Sequence, residues 1–255
     1  MSRMTHRMES AISLYRDGQY DAADDLVSHL LQTNPDDGKM QELHGIIRNA
    51  QGNLDGAIAS LEYASLFIPL SLAGQCVLAQ CYLAIGQIEL ANEIFRFLIS
   101  QSRLTPSLLP LIAAGFTGLG NHQLALEACR RAAECEIDNG EPFFGIAHHM
   151  ERLDYPLEMV MTELQKAIEI EPHRIRYRIK LISIRQRMGH HTEVQAIAAQ
   201  IGLDQILALR CANSLEQLLS IYNDAGDDEK SKTCRIRICE LEADDDEEST
   251  EREHR

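Results

Sequence analysis

The sequence predicts an all-α chain of repeated helix pairs. Three observations carry that prediction: a glycine at a constant interval, small residues at fixed offsets from it, and the lack of any strand-like alternation. Gly18, Gly52, Gly86 and Gly120 stand 34 residues apart. Ala23, Ala57, Ala91 and Ala125 follow them by five residues, and Ala11, Gly45, Ala79 and Ala113 precede them by seven. A fixed period of this size marks a repeat array, in which each unit packs only on its neighbours.

Each unit reads as helix, tight turn, helix, loop. Residues 6–17 carry Met8, Ile12 and Tyr15 on one helix face. Gly18 then caps the helix, because a left-handed residue costs glycine little. Residues 21–31 form the second helix, and Asn34-Pro35-Asp36 stops it. The pattern returns over 40–50 and 55–66, 72–85 and 89–100, and 108–119 and 123–135. Alanine or glycine at the crossing lets paired helices approach; a large side chain there would overpack the contact by about 1–3 kcal/mol.

Past Ala132 the register loosens. Asp154 replaces the fifth turn glycine, and the turn gains a residue at Tyr155-Pro156. A sixth unit runs through Leu181, Gly189 and Val194, and a seventh through Leu218, Tyr222 and Gly226. The last helix, 230–241, is polar, as the cap of an array must be. The units are placed near 4–37, 38–71, 72–105, 106–139, 140–174, 175–208 and 212–241, within one domain over 1–241. From Glu242 the chain carries eight acids and two arginines, the composition of a disordered acidic tail over 242–255.

These residues resemble the tetratricopeptide repeat (TPR) family. Gly45, Ala57, Ala64 and Pro69 match its pattern in the second unit; Leu78, Ala79, Tyr82, Gly86, Ala91 and Phe95 match it in the third. The family tryptophan is replaced by Arg7, Gln41, Gln75 and Leu109, and the closing proline by Arg103 and Ile137 in the third and fourth units. The resemblance implies a right-handed superhelical array (α-solenoid) of about seven antiparallel helix pairs. Its first helices would line a groove that holds a partner's peptide or helix. Carried over unit by unit, the lining positions are Ile12, Tyr15, Glu42, Ile46, Asn49, Cys76, Gln80, Leu83, Ala114, Phe144, His148, Arg176, Lys180 and Arg187. Some family members clamp a terminal carboxylate with Lys and Asn in their first units. Met8 and Ile12 stand there instead, so that recognition is not implied.

The lining divides in two. The early units offer apolar and small groups, which suit an amphipathic helix or an apolar extended segment. The sixth offers cations: residues 173–191 hold six Arg or Lys and no acid. Three readings of that stretch stand side by side. The cations pair with acids of neighbouring units, or anchor an acidic or carboxylate group on a partner, or dock the chain's own tail.

A net charge of −15 disfavours nucleic acid and anionic membrane as partners. MSRMTHRMES has no apolar run, so no secretory signal is expected there. Seven cysteines without a CxxC pair suit reduced, buried thiols and a cytoplasmic location. No metal, nucleotide or nucleophile motif is present, and the pairs His148-His149 and His190-His191 chelate poorly because adjacent helical residues diverge. No cofactor and no enzymatic activity are expected. The reading is a non-enzymatic interaction scaffold or adaptor. The alternatives are a chaperone for an aggregation-prone client, secreted or not, and, remotely, a metal-dependent enzyme. An unfilled apolar groove also invites self-association.

Overall fold

The computed structural model describes the backbone of residues 3–253 and the side chains of residues 6–243. Every regular element among them is helical. Helices α1 (Arg3–Arg16) and α2 (Tyr20–Thr33), α3 (Gly38–Ala50) and α4 (Leu54–Ser65), α5 (Leu72–Ala84) and α6 (Ile88–Ser100), and α7 (Leu109–Gly118) and α8 (His122–Cys135) form four pairs. A 3₁₀ turn, Pro106–Leu108, leads into α7. Then follow α9 (Gly140–Arg152) with α10 (Leu157–Ile170), α11 (Ile175–Arg187) with α12 (His191–Ala199), the short α13 (Leu203–Leu207), and α14 (Ala212–Ala225) with α15 (Asp228–Glu253). The seven antiparallel pairs are those predicted; α13 has no counterpart in the periodicity.

Two local devices recur among the pairs. The turn glycine takes a left-handed backbone, at φ 78° for Gly52, and lets the Asn53 N–H donate to Arg48 O at 2.9 Å. Asp154, at φ 57°, does the same work in the fifth pair. The extra turn residue there shows as a later start of α10, at Leu157 after Pro156. The second device is the polar cap: Asp37, Asn53, Ser71 and Asn121 each accept the N–H of the residue three places on.

The small residues lie where the helices cross. A Cβ on Gly45 would fall 2.5 Å from Leu61 Cγ and 3.0 Å from Ala57 O. Ala57, Ala79 and Ala91 are wholly buried.

The chain divides into two compact units, residues 1–136 and 137–255, where the period alone predicts one domain over 1–241. In the first unit Val27, Leu30, Met40 and Ile47 form a core between the first two pairs, and Phe95 packs on Phe116 at a ring distance of 5.8 Å in the next two. In the second unit Ile182, Ile206, Leu215, Leu218 and Tyr222 form the core around α11 to α15. Helical backbone continues to Glu253, into the segment that composition reads as disordered. Glutamate and alanine favour local helix, but past Ala243 the segment holds no apolar residue.

Among the described residues no helix is long and apolar enough to cross a membrane. Cysteines 76, 81, 129 and 234 are buried, but Cys135, Cys211 and Cys239 are exposed, which corrects the expectation of uniformly buried thiols.

Candidate functional site

Of the four first helices in the first unit, α1 and α3 carry charged residues and the other two do not. Helices α5 and α7 contain no Asp, Glu, Lys, Arg or His. Ile46 lines a groove of about 530 Å³ with Met8, Lys39, Glu42, Leu43, Ile68, Pro69 and Ser71. Ile12 and Tyr15 are half-buried beside it, packed on the core of the first two pairs. Gln80 and Leu83 on α5 are half-buried and Ala114 on α7 is exposed. Leu83 sits against α7 where glycine leaves room, since a Cβ on Gly118 would lie 2.8 Å from Leu83 Cδ2.

Three of the predicted lining residues serve the stack itself. Cys76 has no exposed surface, so it cannot touch a partner; its thiol is pushed up to about 11 by burial. That corrects its place in the groove. Glu42 Oε1 accepts from the Ser71 N–H at 2.9 Å and the Ser71 hydroxyl at 2.5 Å, bracing α3 to the start of α5. Asn49 Oδ1 accepts the Cys81 thiol at 3.3 Å.

In the second unit the cations of α11 meet carboxylates. Arg176 pairs with Glu141 on α9, and Lys180 and Arg187 both pair with Glu151, further along α9. Arg174 reaches Glu171 at 3.3 Å and Glu141 at 3.8 Å. On another face Arg185 pairs with Glu193 at 3.0 Å. Arg178 makes no ion pair among the described residues. Burial raises the Glu151 carboxyl, but Lys180 and Arg187 outweigh it and hold the group below its ordinary value. Phe144 packs on Tyr177 at 5.1 Å, with the Arg176 guanidinium 4.9 Å from its ring centre. His148 lies beside the His149 ring at 5.0 Å. Five of the six cations of this stretch, Arg178 excepted, thus meet carboxylates of neighbouring segments, as in the first of the three readings.

One polar cluster has no signature in the sequence. Buried His44 on α3 holds its Nε2 3.0 Å from Asp24 Oδ1 and 3.2 Å from Ser28 Oγ, both on α2. Arg48 approaches Asp24 at 3.6 Å and donates to Ser60 Oγ at 3.1 Å. Burial, then Arg48, lowers the imidazole pKa against the pull of Asp24. Serine and aspartate meet the same ring nitrogen, so the set is not a nucleophile, base and orienting acid in line. It is a polar seam between the first two pairs. Among the described residues no group of three or more His, Cys, Asp or Glu is placed to hold a metal ion.

No protein-family model matches the sequence, and no curated protein matches it. Solved structures do. The chain is similar to MamA, at 17% identity and a TM-score of 0.55 over 66% of this chain and 97% of that one. It is similar to the C-terminal part of a TPR repeat-containing protein from Cytophaga hutchinsonii, at 13% identity and a TM-score of 0.63 over 91% and 94% of the two chains. It is also similar to a thermophilic TPR protein from Thermus thermophilus, at 21% identity and a TM-score of 0.52 over 71% and 97%. At such identities the likeness is one of fold.

Proposed function

From a tetratricopeptide-repeat fold, we propose that this protein is a non-enzymatic scaffold whose first unit holds an apolar segment of another protein. The observation that carries the reading is the uncharged wall of α5 and α7 beside the apolar groove at Ile46. In a chain of net charge −15, two such charge-free helices suit apolar contact rather than ionic steering. Ile12, Tyr15, Ile46, Gln80, Leu83 and Ala114 are the contact residues of this reading. The wall is braced by bonds such as Glu42 to Ser71, so binding need not order it first. Phe144, His148 and the α11 cations are secondary: an acidic anchor on the partner would have to displace Glu141 or Glu151. Exposed free thiols suit the reducing cytoplasm.

Affinity purification of the full chain with mass spectrometry tests this, run beside Ile46→Glu. That substitution puts a charge in the groove. The expected result is loss of captured partners by the variant. An unchanged set of partners would remove the groove from the account. A single apolar client whose solubility rises on co-expression would identify the scaffold as a chaperone; two folded partners bridged at once would identify an adaptor.

A further inference from the structure

We propose that the edge formed by Tyr63, Leu66 and Phe67 is a second docking surface, and that its occupant is an apolar segment of another protein flanked by lysine or arginine. The site goes beyond the groove reading, because it lies at the C-terminal end of α4, a second helix of its pair. Leu66 is 74% exposed and Phe67 46% exposed, large values for apolar side chains side by side. The ring of Tyr63 stands edge-on to Phe67 at 5.1 Å. The Tyr63 ring and the Phe67 Cβ are held. The Tyr63 hydroxyl donates to Asp36 Oδ1 at 2.6 Å, and Phe67 Cβ sits 3.2 Å from where a Cβ on Gly38 would lie, at the start of α3. Fixed aromatic groups with little entropy left to lose are the usual anchors of an interface.

Charge selects the occupant. Asp36 bonds the patch directly and Asp37 precedes Gly38, whereas the Glu62 carboxylate accepts the Tyr82 hydroxyl at 2.6 Å. The nearby cation, Lys39, lines the groove. An acidic rim around an apolar centre attracts a basic amphipathic segment and repels an anionic lipid surface. A second copy of this chain is a poor fit, because its basic helix α11 is already paired with Glu141 and Glu151.

The test uses the full chain and two synthetic amphipathic helices, one of leucine and lysine, the other with glutamate for lysine. Fluorescence anisotropy should show the lysine peptide bound at least about tenfold more tightly than the glutamate peptide. The double variant Leu66→Ser, Phe67→Ser keeps the net charge and both sites are exposed, so its helical content should be unchanged. It should weaken the lysine peptide by about tenfold, whereas Ile46→Glu should not. Equal binding of both peptides would overturn the proposal. So would a double variant that binds like the parent, since the peptide would then be held by charge elsewhere. Binding to anionic vesicles, or a dimer in sedimentation that the double variant dissolves, would assign the patch to a membrane or to a second copy and overturn it as well.

Discussion

Gly52 and Gly115 are glycines for unrelated reasons. At Gly52 φ is 78° and nothing lies within 4 Å of a Cβ placed there. Gly52→Val is therefore a problem of backbone strain alone, costing on the order of 1–3 kcal/mol. At Gly115 the backbone is ordinary helix, but a Cβ would fall 2.3 Å from Phe95 Cζ. Phe95 is fully buried, so its ring has no free space to enter. Gly115→Ala should cost about 1–3 kcal/mol by overpacking. A smaller partner separates the two mechanisms. In urea unfolding, Phe95→Leu should absorb much of the Gly115→Ala penalty and none of the Gly52→Val penalty. Strict additivity at Gly115 would show that the crossing relaxes some other way.

At the scale of elements, the contact of α9 with α11 rests on few carboxylates. Glu151 accepts both Lys180 and Arg187, and its side chain is 14% exposed. Glu151→Gln leaves two cations facing each other without their shared partner, which should cost about 1–3 kcal/mol. The sign of the pH effect follows from the lowered carboxyl of Glu151. A folded pKa below the unfolded one gives stability that is complete above the ordinary carboxylate range. It is lost as pH falls through the ordinary carboxylate range and then through the lower folded value. Melting temperatures of parent and variant should therefore converge in acid. A gap that persists there would show that packing, not charge, holds these helices.

For the whole molecule, the division at Glu136 predicts separable folding. Residues 1–136 contain four complete helix pairs and cores of their own, from Val27 and Ile47 to Phe95 and Phe116. In a repeat protein stability is close to a sum of units and nearest-neighbour contacts. A fragment ending at Glu136 should keep its helical circular dichroism and melt cooperatively. A non-cooperative melt would mean that the first unit is not an independent folding entity.

The pair architecture was readable from sequence because its determinants are local. One glycine at positive φ ends the first helix, side-chain caps start α3, α4, α5 and α8, and in the first four pairs the glycine recurs every 34 residues. Even the exception at Asp154 and Tyr155-Pro156 could be read as a lengthened turn. The surface was readable only in part. The register puts Ile46 and Cys76 on equivalent faces, yet Ile46 lines the groove and Cys76 is sealed in the core. That choice is made by the neighbouring pair, whose side chains lie about a repeat away in sequence. Neither the seam of His44 with Asp24 nor the bond of Arg187 to Glu151, whose partners are 36 residues apart, has a spacing rule that would reveal it. The sequence alone thus determined which segments are helical and how each pair turns, since backbone geometry follows from a few residues in a row. Only the tertiary structure decided which cations are spent internally and which apolar groups remain open, because burial and ion pairing arise between segments that composition and period treat alike.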